Sequence, residues 1–365
     1  MINNIKIEGY KSIKNLDLKL EPINVLIGCN GVGKSNFISF FKLINVVYEQ
    51  RLELYSLTEG ADSLMHFGKR NTAGINAYLE FDEKNAYSFS LKPTNDDKLF
   101  IEKEYTGFNK SKGGRSAEFG SGWSWNWISE NVKESVVRNF SNGIPSYVNI
   151  YLRSFKIYHF HDTSQNAPLR SACHINDNQQ LKENGSNLPA FLYYLKEKKT
   201  SDFEKIQRIT QSIAPFFERF DLKPDRLNPE RISLEWFEKN QPDSYFNAGN
   251  FSDGTIRFIA LATLLLQPNL PKTIIIDEPE LGLHPFAINK LAGLIKKASA
   301  SSQIIISTQS VNLVDNFKPQ DIVTVDRSDN QSVFNRIVDD ENLTNWMTKY
   351  TLGDLWSKNV IGGRP

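Results

Sequence analysis

In two stretches of the first hundred residues, apolar side chains fall mostly at every second position. "NNIKIEGYKSIKNLDLKLEPINVLIG" (3–28) gives two alternating runs around a Gly-Tyr-Lys-Ser turn, and "NAYLEFDEKNAYSFSLKP" (76–93) continues the pattern. Alternation of period two predicts strands with one face toward a core. "INVLI" (23–27) and "TIIID" (273–277) are instead short apolar runs of the buried-strand type, and "SNFISFFKLINVV" after the first of them carries helical spacing. Residues 188–220 show helical spacing broken near Thr200 and Pro215, which predicts two or three short helices. No heptad persists over several repeats, so no long coiled coil is expected. From about 93 to 126 the pattern lapses, and "GFNKSKGGRSAEFGSGWSWNW" reads as a mobile surface loop. Strand patterning returns near 231, and a helix after 285 precedes the strand "QIIIST".

The stretch that joins the first buried strand to its helix is "IGCNGVGKSN", residues 27–36. Gly28, Gly31 and Gly33 let backbone N–H groups converge on phosphate oxygens with no Cβ in the way. The helix that follows aims its positive end at the same point. Lys34 would then reach the β- and γ-phosphates of a nucleotide, and the Ser35 hydroxyl would hold Mg²⁺. An ordinary Gly-rich turn is the alternative, against which the strand and helix flanks argue. Cys29 occupies a loop position that contributes its backbone.

Composition narrows the classes. A chain of 365 residues, 40% hydrophobic, has room for one large α/β domain or two smaller ones. A formal net charge of +1 offers no global field for steering nucleic acid, so any DNA contact falls to a local patch. Cys29 and Cys173 are the only cysteines, which excludes a disulfide framework and a four-cysteine zinc site. The first residues lack a signal-peptide core and no run is apolar for long enough to span a bilayer. A cytoplasmic home without membrane partners is therefore expected.

A phosphate loop needs something to hold the metal and orient water before ATP is cleaved. "TIIIDEPE" supplies candidates, because a buried strand ending in Asp277 and Glu278 puts two carboxylates at the C-terminal edge of a parallel sheet. Asp277 would hold Mg²⁺ and Glu278 would polarise the attacking water as general base. "FSDGTIRFIALATLLL" (251–266) adds a second anion site, built from the Ser252 hydroxyl, the amides around Gly254 and a helix N-terminus. One nucleotide has one γ-phosphate, so two such sites suggest head-to-tail sharing of ATP between two copies. A capped core helix is the plainer alternative.

"GCNGVGKS", "FSDGTIRFIAL", "IIIDEPELGLHP" and "ISTQS", in this order, resemble the ABC-type ATPases of the SMC, RecF and OLD group, and most of all the compact bacterial AAA-type ATPases of phage-defence operons. "YHFHDTS", "NLPAFLYYL", "ISLEW" and "LGDLWSKNVIGGRP" extend the likeness over most of the chain, the Trp-rich stretch excepted. The resemblance implies an α/β ABC-type P-loop ATPase with a mixed sheet, an N-terminal antiparallel β-region and a helical insertion. Residues 1–92 would form an N-terminal lobe with the Walker A loop, 93–230 the Trp-rich loop, a strand and the helical insertion, and 231–365 the C-terminal lobe. It assigns Asn30, Gly31, Gly33, Lys34, Ser35 and Asn36 to the nucleotide together with Gly28. It also makes Ser252 and Gly254 a signature that caps ATP in trans, with Arg257 as helper. His284 and Pro285 would line the dimer seam, and Gln309 stands where many relatives place a histidine. Glutamine hydrogen-bonds but does not titrate near neutral pH, which bears on the hydrolysis rate.

The implied activity is Mg-ATP hydrolysis in a homodimer or higher assembly that switches a separately encoded nuclease or toxin in anti-phage defence. Two further classes stay open: a repair or chromosome-maintenance ATPase that binds DNA directly, and a nucleotide-gated scaffold with little turnover. A transporter subunit is disfavoured because the signature begins Ser-Asp-Gly. Lysines and Arg115 beside Trp123, Trp125 and Trp127 offer a nucleic-acid platform that Glu102, Glu104 and Glu118 dilute. His159, His161 and Asp162 lack the further ligands zinc needs.

Overall fold

The alternating runs pair into a six-stranded antiparallel sheet. Its order is Ile13–Lys19, Ile2–Tyr10, Ile75–Phe81, Asn85–Pro93, Leu99–Asn109 and Trp123–Val132. The computed structural model describes residues 1–112, 122–241, 244–338 and 340–364. Register sets Ile5 between Leu18 and Leu79, and Ile7 between Leu16 and Ala77, so one face of the sheet is continuously apolar. That face packs on the helix Lys34–Tyr48 through Phe37, Phe40, Phe41 and Ile44.

The second sheet is mixed. Its order is Gln331–Arg336, Ile322–Ser328, Ile23–Ile27, Gln303–Thr308, Thr273–Asp277 and Phe155–Tyr158, all parallel except the first strand. The apolar runs are buried on both faces, as parallel strands covered on each side must be. Leu26, Ile275 and Ile305 join the core shared with the antiparallel sheet. Val25, Ile27, Ile274, Ile276, Ile304 and Ile306 face the helices Leu188–Lys198, Thr200–Ile213, Asp253–Leu266 and Pro285–Ala298. The fold is thus the expected α/β architecture. Among the described residues the longest helix has 15 residues, and no helix is long and apolar enough to cross a membrane.

Among its described residues, the stretch expected to be irregular is largely strand. Leu99–Asn109 pairs with Asn85–Pro93 on one side and Trp123–Val132 on the other. Register shifts at Ser90/Leu91 and Glu104/Tyr105 break the alternation, and an inward position holds a glutamate. Glu104 is fully buried and accepts hydrogen bonds from Tyr87 Oη (2.6 Å), Ser129 Oγ (2.7 Å), Ser135 Oγ and the Val136 amide. It therefore cannot dilute a surface patch. Trp123 and Trp125 stack at 5.9 Å over Gly107, and Trp125 and Trp127 remain exposed. Arg115, Glu118 and the rest of 113–121 lie outside the described residues.

The helical insertion breaks at Thr200 as read, and its second helix ends at Ile213, just before Pro215. A small sheet of Phe217–Asp221, Glu235–Glu238 and Tyr245–Asn247 follows. Trp236 of this sheet stacks on Phe251 at 4.5 Å, which seats the chain just ahead of Ser252. Near the far end, Leu355 and Trp356 are fully buried. The Trp356 indole donates to the Gly363 carbonyl, while the Gly363 amide donates to Asp326 at 2.9 and 3.1 Å. Gly362 and Gly363 accordingly lie on the sheet, and Pro365 is outside the described residues.

Candidate active site

Strand register builds the site. Thr308 pairs with Ile27, Ser307 with both Leu26 and Asp277, and Tyr158 with Ile276. The ends of four parallel strands therefore stand level, and the residues just beyond them share one edge of the sheet: the phosphate loop, Gln309, the acidic pair and His159. Ligands of open α/β sheets collect at this edge.

Backbone conformation explains two of the loop glycines. Gly33 has φ +118°, and a Cβ there would overlap the Ser332 hydroxyl; a Cβ on Gly28 would overlap the Val325 carbonyl. Such a cradle takes a phosphate against bare backbone. Lys34 opens the helix and is buried, its ammonium donating to the Gly28 carbonyl (2.5 Å) and the Cys29 carbonyl (3.0 Å). Burial pulls its pKa below the ordinary lysine value, while Glu278, Asp277 and Glu280 act in the opposite sense. The loop lysine thus sits within the field of the carboxylates contributed from 240 residues away. Asn30 and Ser35 are exposed on the loop and first turn. Asn36 donates to Ser12 Oγ at 2.7 Å, and Ser332 Oγ bonds both Ser12 Oγ (2.6 Å) and the Val32 carbonyl (2.5 Å). Ser12 and Ser332 thereby brace the loop from beneath.

The acidic strand end is tied to its neighbour. Asp277 accepts from Ser307 Oγ, and the Glu278 amide donates to the Ser307 carbonyl at 3.0 Å. Glu278 has φ +40°, a left-handed backbone uncommon for a side-chain-bearing residue. Its carboxylate accepts from the Gln309 amide group. Hard oxygen donors at Ser35 and Asp277 fit Mg²⁺ in character. Glu280 was not foreseen. It is buried, accepts from Thr308 Oγ1 (2.5 Å) and the Gln309 backbone N–H (3.1 Å), and leaves Oε2 without a hydrogen-bond partner among the described residues. Burial raises its pKa above the ordinary glutamate value. A second glutamate after a proline gives a sequence reader no cue to this role.

Ser252 caps the helix Asp253–Leu266, its hydroxyl accepting from the Thr255 amide at 3.2 Å, and it is exposed. No hydrogen bond joins Ser252 or Gly254 to the phosphate loop of the same chain among the described residues. Gly254 instead lies against Gly282, where a Cβ would overlap the Gly282 carbonyl. The signature turn and the loop after the acidic pair form one surface with Leu281, His284 and Phe286 exposed on it. His284 caps the following helix through Nδ1, accepting from the Phe286 amide at 3.3 Å.

Arg257, read as a helper of ATP capping, points inward. It is buried, and its guanidinium donates to the carbonyls of Phe160 (2.8 Å), His161 (2.9 Å) and Leu281. It locks the histidine segment and the Leu281 turn to the signature helix. Arg170, which carries no sequence signal, does similar work: it donates to Thr163, Ala248 and Phe251 carbonyls and pairs with Asp253 at 2.8 Å. His159 and His161 stand 6.3 Å apart between ring centres, and burial followed by the neighbouring His161 lowers the His159 pKa. No group of three or more metal-ligating side chains occurs among the described residues.

A parallel sheet edge that joins a glycine-rich loop, an Asp-Glu pair and the end of a neighbouring strand, with the Ser252 turn on a separate exposed surface, is the arrangement of a P-loop ATPase. The chain belongs to the family described as AAA domain, putative AbiEii toxin, Type IV TA system, whose model matches residues 23–315. It is 21% identical to the Old nuclease of Escherichia phage P2 over 93% of this chain, and spans 61% of that relative's length. Among solved structures it resembles an SMC head bound to the C-winged helix domain of ScpA, with TM-score 0.52, 16% identity, and coverage of 94% of this chain and 99% of that one. It likewise resembles an SMC head with an extended coiled coil bound to the C-terminal domain of ScpA from Pyrococcus furiosus, with TM-score 0.51, 13% identity, and coverage of 95% and 98%.

Proposed function

We propose that the chain is an ATP-driven switch: two copies close head-to-tail around Mg-ATP, hydrolyse it, and in doing so control a separate effector nuclease or toxin in anti-phage defence. The observation that carries this reading is the separation of the two anion sites. The phosphate loop and acidic pair meet at one sheet edge, while the Ser252 cap is exposed and continuous with the Gly282–Phe286 surface. An exposed cap beside exposed Leu281 and Phe286 is suited to a second copy's nucleotide.

Lys34 and the amides of residues 28–33 bind the phosphates, with Asn30 on the γ-phosphate side. Ser35 and Asp277 would hold Mg²⁺, which supplies charge neutralisation on the phosphoryl oxygens. Glu278 accepts the proton of the attacking water, and Gln309, hydrogen-bonded to Glu278, orients it. The family membership and the relation to Old nuclease support the effector and defence reading. Direct DNA binding is the second reading, favoured by the exposed Trp125 and Trp127.

The test is the solution mass of wild type, Lys34→Ala and Glu278→Gln with and without Mg-ATP. The reading predicts an ATP-dependent dimer or larger assembly in Glu278→Gln that Lys34→Ala does not form. A mass unchanged by nucleotide in all three contradicts ATP-driven closure.

A further inference from the structure

We propose that Glu280 is a positioning residue for hydrolysis, holding the turn at Thr308–Gln309 so that the Gln309 side-chain amide stays on Glu278. The inference deepens the ATPase reading and rests on it.

Four hydrogen bonds link the acidic loop to the switch strand in sequence order. Ser307 takes the Glu278 amide at 3.0 Å, Thr308 and the Gln309 backbone N–H both donate to Glu280 Oε1, and the Gln309 side chain donates to Glu278. The chain Glu278–Pro279–Glu280 on one side and Ser307–Thr308–Gln309 on the other thus closes a hydrogen-bonded ring. Glutamine has three side-chain torsions, so the direction of its amide depends on how firmly its backbone is held. The anchor of that backbone is the Glu280 carboxyl.

Burial makes this an expensive anchor. Glu280 has 9% of its surface exposed, and Oε2 is buried with no hydrogen-bond partner among the described residues. A half-satisfied buried carboxyl weakens a fold unless the geometry it enforces is needed elsewhere. Here that geometry fixes the group facing the general base. Proline between the two glutamates removes a degree of backbone freedom, so the positions of Glu278 and Glu280 are coupled. Burial raises the Glu280 pKa, and glutamine keeps an uncharged acceptor carbonyl in this place.

The test is steady-state Mg-ATP hydrolysis by the full chain as wild type, Glu280→Ala, Glu280→Gln, Gln309→Ala and the Glu280→Ala/Gln309→Ala double variant. Glu280→Ala should lower kcat about tenfold to a hundredfold with KM changed less than about twofold, the mark of lost transition-state organisation. Glu280→Gln should stay within about threefold of wild type, because its carbonyl accepts from the same two donors. The double variant should equal Gln309→Ala alone. Losses that multiply in the double variant, or a Glu280→Gln as slow as Glu280→Ala, overturn the proposal.

Hydrogen exchange at the Gln309 backbone amide reads the same contact without turnover. It should quicken about tenfold in Glu280→Ala and stay near wild type in Glu280→Gln. If Glu280→Ala does not fold, Thr308→Val removes the companion donor and should speed exchange at the same amide. A wild type that hydrolyses no ATP overturns the ATPase reading; exchange unaffected by these substitutions overturns the positioning claim.

Discussion

Strands Ile23–Ile27 and Gln303–Thr308 are buried at every position, whereas Trp123–Val132, at the rim of the other six-stranded sheet, leaves Trp125 and Trp127 46% and 59% exposed. In the mixed sheet the candidate site residues stand where the parallel strands end, so Lys34, Asp277, Glu278 and Gln309 are gathered by register. In the antiparallel sheet polar and aromatic groups stand along the strands, and its buried polar centre, Glu104, satisfies itself with four donors. The first arrangement leaves groups at an open sheet edge, where ligands of such sheets collect. The second spends them on the fold.

That contrast can be broken most forcefully at the sheet edge. Glu278→Gln should cut ATP turnover by about 10³- to 10⁵-fold while nucleotide still binds, and Lys34→Ala should lose binding as well. Hydrolysis assays alongside titration with a fluorescent nucleotide separate the two, and the thermal midpoint of each variant should stay close to wild type. Glu104→Ala should do the reverse. It strands the Tyr87, Ser129 and Ser135 hydroxyls in a dry interior, costing about 3–5 kcal/mol by urea unfolding, with turnover per folded molecule unchanged.

Smaller effects sharpen the comparison. Burial raises the Glu280 pKa in the folded chain, so folding is favoured below the unfolded carboxylate pKa and that contribution is lost as pH rises through the folded value. Thermal melts of wild type and Glu280→Gln should therefore coincide most closely in acid, the glutamine variant gaining relative stability as pH rises. Trp125→Ser, on the exposed face, should change stability by less than about 1 kcal/mol in the same melts. A larger loss would show that the tryptophan stack is part of the fold.

The parallel sheet was legible because its signals are local. Glycines at fixed spacing, a lysine and a serine between a strand and a helix announce the loop, and "TIIIDEPE" announces the acidic strand end. The antiparallel rim was not, because one register shift in Leu99–Asn109 and another in Trp123–Val132 disturb the alternation on which strand reading depends. Arg257 shows a different limit. Its place beside the signature suggested a helper in capping ATP, yet whether an arginine points outward or donates to three carbonyls depends on Phe160, His161 and Leu281, which are distant in sequence. Glu280 and Arg170 were hidden for the same reason, since their partners arrive only with the fold.

The most direct test of a shared ATP site is complementation between two inactive variants. Lys34→Ala keeps the Ser252 surface and Ser252→Arg keeps the phosphate loop, so each alone should be inactive. Mixed, they assemble one intact composite site per heterodimer, and turnover should recover to about a quarter of wild type if pairing is random and sites act independently. A mixture no more active than its separate components would contradict the sharing of ATP between copies.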